Sequence, residues 1–144
     1  HEWFKKNKIS TDKLVVLDTS PYESREEADK QLVVLRNKDV NAKFKSPLLK
    51  ELKQFCKKNK ISFSCKDKFI IEKNKLREKE GLKSISIGST ELGRIVMESN
   101  GQIQGATLQI PTTGYHTVDE TACVESIKAI IFILSSFYIK TVNI

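Results

Sequence analysis

Two short runs, Leu14-Val15-Val16-Leu17 and Leu32-Val33-Val34-Leu35, constrain this chain more than any other feature. Each is apolar without a break, so neither shows the alternation of a strand with one wet face. Such runs read as strands covered on both sides, which requires helices above and below a mostly parallel or mixed sheet. The first strand is expected over Lys13 to Leu17, ending at Asp18, and the second over Gln31 to Arg36, bounded by Asn37-Lys38-Asp39. Ser20-Pro21-Tyr22 between them reads as a turn.

Ser46-Pro47 then opens a helix with a capping hydroxyl and a proline at its first position. Leu48, Leu49, Leu52, Phe55 and Cys56 recur on one side of it, while Lys50, Lys53, Lys57 and Lys58 fill the other. Ile61 to Ser64 resumes the extended period. The order strand, helix, strand is that of a right-handed crossover between parallel strands. From Lys66 to Lys83 the charge density argues against a core element, with a short exposed helix over Glu72 to Glu80 closed by Gly81. Ser89 or Thr90 caps a helix with Leu92, Ile95 and Val96 inward, stopped by Asn100-Gly101. Ala106 to Ile110 forms a strand ended by Pro111. A last helix, about Thr121 to Tyr138, places Val124, Ile127, Ile131, Leu134 and Tyr138 on one stripe with Cys123, Ile130 and Phe137 beside it, and is expected to be largely buried.

A three-layer α/β domain spanning residues 1–144 follows from this alternation, with no linker or repeat to divide it. The 144 residues are 39% apolar and 30% charged, a globular profile. Ala129 to Ile139 is the longest apolar stretch and is too short to cross a bilayer, so a membrane partner is not expected. Three cysteines at irregular spacing suggest reduced thiols and a cytoplasmic setting. No Gly-rich phosphate loop or nucleophile elbow is present. Residues 1–84 carry 22 basic and 13 acidic side chains, a net +9, whereas residues 85–144 carry 3 and 5, a net −2. The lysines between 43 and 83 offer one reading as a patch for nucleic acid or another acidic partner. Lys43, Lys45, Lys50, Lys53, Lys57, Lys58 and Lys60 are not interleaved with arginine or with exposed stacking aromatics, which favours a plain solvated face.

Ligands of layered α/β folds gather at the carboxyl ends of parallel strands. Asp18 and His116 follow two of the expected strands, and carboxylate and imidazole are both zinc ligand types. Here Val15-Val16-Leu17-Asp18-Thr19-Ser20-Pro21 resembles the strand-Asp-Val-Thr-Pro turn of the zinc-dependent exopeptidase superfamily, most nearly the dinuclear zinc aminopeptidases of the glutamyl-aminopeptidase type. Ile110-Pro111-Thr112-Thr113-Gly114-Tyr115-His116-Thr117-Val118-Asp119-Glu120 resembles the later Ile-Pro-Thr…His segment of that family. Gly88-Ser89-Thr90-Glu91-Leu92 stands where the family has Gly-Gly-Thr-Asp-Ala, departing at the second glycine and at the acid.

The resemblance implies a metallopeptidase that hydrolyses peptide bonds with water held between two divalent metal ions, zinc by family type. It implies Asp18 on one ion and His116 on the other, with Thr90, Glu91 and Tyr115 lining a peptide-binding pocket. Asp119 or Glu120 is the expected partner of the His116 ring, although Thr117 with Glu120 also has the spacing of a capping box. The His-x-Asp pair, bridging Asp and Glu-Glu pair of the family have no counterpart before Asp18, so the general base is expected upstream of His1. The chain is therefore read as the C-terminal half of a catalytic domain, incomplete alone. Homo-oligomer formation is left open.

Overall fold

The computed structural model describes residues 2–138. Its elements are α1 (Glu2–Lys6), β1 (Thr11–Pro21), α2 (Arg25–Ala28), β2 (Val33–Leu35), α3 (Pro47–Lys58), β3 (Phe63–Cys65), α4 (Lys66–Lys79), α5 (Glu91–Glu98), β4 (Ile103–Thr113), β5 (Thr121–Ala122) and α6 (Val124–Tyr138). The architecture is a three-layer α/β arrangement with a mixed sheet flanked by helices. Strand order is β1-β4-β2-β3, and β5 pairs with β4.

Hydrogen bonds fix the directions. Thr11 N–H donates to the Gln102 carbonyl at one end and Tyr22 N–H to that of Thr112 at the other, so β1 and β4 run parallel. Val34 pairs antiparallel with Gln109, and Thr112 and Thr113 pair antiparallel with Ala122 and Thr121. Leu32 N–H reaches the Ser62 carbonyl, and Asn37 N–H reaches the Asp67 carboxylate five residues further on, as parallel β2 and β3 joined through α3 require.

The chain divides into two compact units. One comprises the residues up to Val16, Leu35–Lys50 and Cys65–Thr107; its core contains Phe44, Leu48, Leu49, Ile70, Leu92, Ile95, Val96 and Ile103. The other comprises Leu17–Val34, Glu51–Ser64 and the residues from Leu108 on, with Val33, Val34, Leu52, Cys56, Leu108, Ile130 and Ile133 buried.

Several expectations change. β2 is buried throughout, as a doubly covered strand should be. β1 is not: it lies at the edge of the sheet, Leu14 to Val16 are half-buried and Leu17 is 55% exposed. β1 also runs on to Pro21, so Asp18 lies within the strand instead of after it. Pro111 does not end β4, because Thr112 and Thr113 continue the ladder with β5. The charged segment forms a 14-residue helix, α4, which begins at Lys66 instead of Glu72. Its first turn is anchored by Asp67, whose carboxylate accepts the main-chain and side-chain N–H groups of Asn37.

α6 begins at Val124, because residues 121 and 122 form β5. Its buried face is also different: Ser126, Ala129, Ile130 and Ile133 point inward, while Val124, Ile127 and Ile131 are exposed. The helix is apolar nearly all round, so its periodicity does not identify the inner stripe, and small Ser126 and Ala129 allow closer packing than Val124 and Ile127. Leu134 is half-buried. The side chain of Tyr138 lies outside the described residues.

Candidate functional site

β4 delivers the chain into a tight turn at residues 114–120. Gly114 has φ +69°, and a Cβ there would stand 2.7 Å from the Asp119 carbonyl oxygen, so the turn admits only glycine. The Thr117 hydroxyl donates to the Gly114 carbonyl at 2.6 Å and accepts the Asp119 N–H at 3.2 Å. This winding leaves His116 at φ +60°, a left-handed conformation uncommon outside glycine. Its imidazole stacks on Tyr115, with ring centroids 3.8 Å apart, and both residues are exposed.

Glu120 supports the turn from below. One carboxylate oxygen accepts the His116 main-chain N–H at 3.4 Å and the other is buried. Glu120 therefore holds the backbone of His116 instead of its ring. The capping box does not form, since β5 separates this turn from α6. From α2, Arg25 donates to the Thr121 carbonyl at 3.3 Å and pairs with Asp29 at 3.0 Å, tying the far side of the turn to a second element.

Asp18 stands three residues before the end of β1 and is exposed. One of its oxygens accepts the Thr19 N–H at 2.8 Å. The Thr19 carbonyl in turn accepts the side-chain N–H of buried Gln109 at 3.0 Å, which locks this stretch of β1 to β4. Asp18, Tyr115 and His116 all belong to the second unit.

Thr90 and Glu91 belong to the first. Thr90 caps α5: its hydroxyl accepts the Gly93 N–H at 3.0 Å and donates to Asp39 at 2.8 Å. The hydroxyl is thus committed to the fold. Glu91 begins the helix and is exposed. Asp39, expected only as part of the polar stretch that bounds β2, gathers several donors in this unit. It is buried and accepts N–H groups from Asn41, Ala42 and Thr90 at 2.8, 3.0 and 2.7 Å besides the Thr90 hydroxyl. The signal for it was local, an Asp two and three residues ahead of the amides it receives, the pattern of an Asx turn.

Among the described residues, no three His, Cys, Asp or Glu side chains form a group able to hold a metal ion. Asp18 and His116 are suitable donor types, but among the described residues neither belongs to a group of three such side chains. Cys56 offers no nucleophile: burial pushes its thiol up to about 11, so it stays protonated near neutral pH. Of the lysines, Lys43, Lys45, Lys50, Lys57, Lys58 and Lys60 are exposed, Lys53 is half-buried, and Lys66 is buried with its ammonium 5.2 Å from the centre of the Phe69 ring.

No protein-family model matches the chain, and no curated protein matches its sequence. Among solved structures the fold is similar to that of PhTET1-12s, a dodecamer in its crystal, with a TM-score of 0.63 and 14% sequence identity. The match covers 93% of this chain and 35% of that one. The chain thus spans about a third of the length of the protein it resembles. At this identity the likeness establishes the three-layer fold.

Proposed function

We propose that this chain is part of the catalytic domain of a metal-dependent exopeptidase of the aminopeptidase type, and that residues 1–144 serve in it as one structural domain. The observation that carries the reading is the fold likeness to PhTET1-12s along 93% of the chain, a fold of the peptidase catalytic type. It is supported by the order in which the Asp18, Gly88–Leu92 and His116 segments occur along the sequence.

In this reading Asp18 and His116 each donate to one of two divalent ions, zinc by family type, and the remaining donors and the general base come from polypeptide outside these residues. The chain's own contribution is placement. The Thr19–Gln109 bond fixes the β1 segment bearing Asp18, and Glu120 and Gly114 fix the backbone that presents His116. Tyr115, flat against the imidazole, forms a wall for a peptide substrate and limits rotation of the ring. Thr90 shapes the start of α5 through its cap, leaving Glu91 as the more accessible polar group of that pair.

Cobalt titration of the chain, read by visible absorption, tests the ligand roles. Weak binding is expected, with Asp18→Ala and His116→Ala each reducing affinity at least about tenfold while circular dichroism is unchanged. Equal affinity in both variants, or no binding at millimolar cobalt, refutes the assignment. Tight binding by the unaltered chain refutes the claim that the site is incomplete.

A further inference from the structure

α1 and α5 end in the same way, and both ends border one cavity. After α1 the Ile9 N–H reaches back to the Phe4 carbonyl, and after α5 the Gly101 N–H reaches back to that of Val96. Such turns set the residue before the returning N–H in the left-handed conformation and satisfy carbonyls that a helix end otherwise leaves open. The residues so placed are Lys8 at φ +49° and Asn100 at φ +50°. Asparagine is common there, whereas lysine has no short polar side chain to offset the crowding of its Cβ. The cavity encloses about 500 Å³, the size of sites that hold small ligands, and lies wholly within the first compact unit. Its floor is hydrocarbon, with Ile95 and Ile103 buried and Phe4 and Ile9 half-buried. Its rim is polar. Ser99 is committed to the fold, donating to the Val96 carbonyl and accepting the Ile103 N–H. Glu98 is half-buried and already engaged. That leaves the Lys8 ammonium and the side-chain amides of Asn100 and Gln102, none of which has a bonding partner among the described residues.

We propose that this cavity is a binding site for an apolar carboxylate, its hydrocarbon lying on Phe4, Ile9, Ile95 and Ile103 and its carboxylate on the Lys8 ammonium, with the Asn100 and Gln102 amides donating beside it. The charge left unpaired at the rim is positive, so an anion is matched and an amine is not. The apolar floor adds affinity only for a ligand with a hydrocarbon body, which sets inorganic phosphate and sulfate aside. Two sources offer a carboxylate on hydrocarbon: a free fatty acid and the C-terminal apolar residue of a peptide. The site uses neither Asp18 nor His116, so it stands or falls apart from the peptidase reading.

Trp3 is the sole tryptophan and packs edge-on against Phe4, ring centroids 5.4 Å apart, so its fluorescence reports on the cavity. Titration of the chain with octanoate, read by that fluorescence and by calorimetry, should saturate at one ligand per chain with a Kd of about 10 μM to 1 mM. N-acetyl-leucine is the second arm: tighter binding of octanoate assigns the site to fatty acids, and tighter binding of N-acetyl-leucine assigns it to a peptide C-terminus. Lys8→Asn removes the cation while keeping a residue suited to the left-handed conformation, and should weaken the better acid at least about tenfold with the thermal melt unchanged. Lys8→Arg should stay within about threefold of the parent, and Lys6→Gln, at an exposed lysine of α1 outside the cavity, should match it. If Lys8→Asn melts early, octan-1-ol makes the same comparison on the unaltered protein, since it has the same chain and no charge. No saturation by about 10 mM of either acid overturns the proposal. So does equal affinity for octan-1-ol, or for the acid in folded Lys8→Asn, because either result leaves the carboxylate without a role.

Discussion

Gly93 is the position at which the smallest substitution should do the most damage. It lies in α5, where alanine is ordinarily worth about 1 kcal/mol of helix stability over glycine. A Cβ built there, however, meets the Asp39 carboxylate at 2.0 and 2.3 Å from its oxygens and 2.4 Å from its carbon. The carboxylate cannot retreat without abandoning its four donors, the N–H groups of Asn41, Ala42 and Thr90 and the Thr90 hydroxyl. Hydrogen bonds to a charged group are worth about 1.5–3 kcal/mol each, so losing two of them outweighs the propensity gain and leaves Gly93→Ala about 2–5 kcal/mol less stable. Urea unfolding followed by circular dichroism should show a midpoint lower by about 1–2 M at unchanged slope. The double variant isolates the cause: once Asp39→Ala has removed the obstacle, Gly93→Ala should be neutral or stabilising by about 1 kcal/mol. A Gly93→Ala protein as stable as the parent, or additive effects in the double variant, would refute the steric argument.

Asn74 holds the otherwise irregular segment after α4 by accepting the Ile85 N–H and donating to the Ile85 carbonyl, both at 2.8 Å. Asn74→Ala should destabilise by about 1–3 kcal/mol and speed tryptic cleavage after Lys83, read by mass spectrometry. Thiol titration of the native protein at pH 8 should find Cys65 and Cys123, both half-buried, reacting well before buried Cys56. Because burial raises the Cys56 thiol from 9.0 to about 11, the unfolded chain loses that proton first; stability should be intact below pH 9 and decline from there toward pH 11, and Cys56→Ser should flatten that decline. His116→Gly should raise stability by about 0.5–1 kcal/mol by relieving the φ of +60° while abolishing the cobalt response, and a loss of stability instead would show that the ring is structural.

How far the sequence could be read depended on whether a local pattern had one physical solution or two. Ser46-Pro47 with Leu48, Leu49 and Leu52 has one, and α3 begins at Pro47 with those leucines buried. Thr90 ahead of Leu92, Ile95 and Val96 has one as well, and α5 starts at Glu91 with that cap in place. Leu14 to Leu17 has two. A continuous apolar run suits a central strand, but it also suits an edge strand whose outer residues are left in water, and only the strand order β1-β4-β2-β3 decides. α4 was obscured differently. Its anchor is Asp67 on Asn37, a pair thirty residues apart that no periodicity within residues 66–79 can reveal.

The candidate site follows the same rule. Asp18 and His116 were singled out because each was expected to follow a strand; the structure keeps Asp18 inside β1 and puts His116 on the turn after β4, and what supports the two was not legible. Glu120 grips the main chain of His116, Gln109 reaches across to Thr19, and Asp39 gathers Thr90 with two amides, all through contacts between a side chain and a distant or turned backbone. Such bonds depend on where the backbone runs in space, so they leave no spacing in the sequence to detect. The same logic explains why the buried stripe of α6 differs from the expected one. Burial of one stripe is set by the surface beneath it, and a helix apolar on both sides gives either stripe an equal claim until that surface exists.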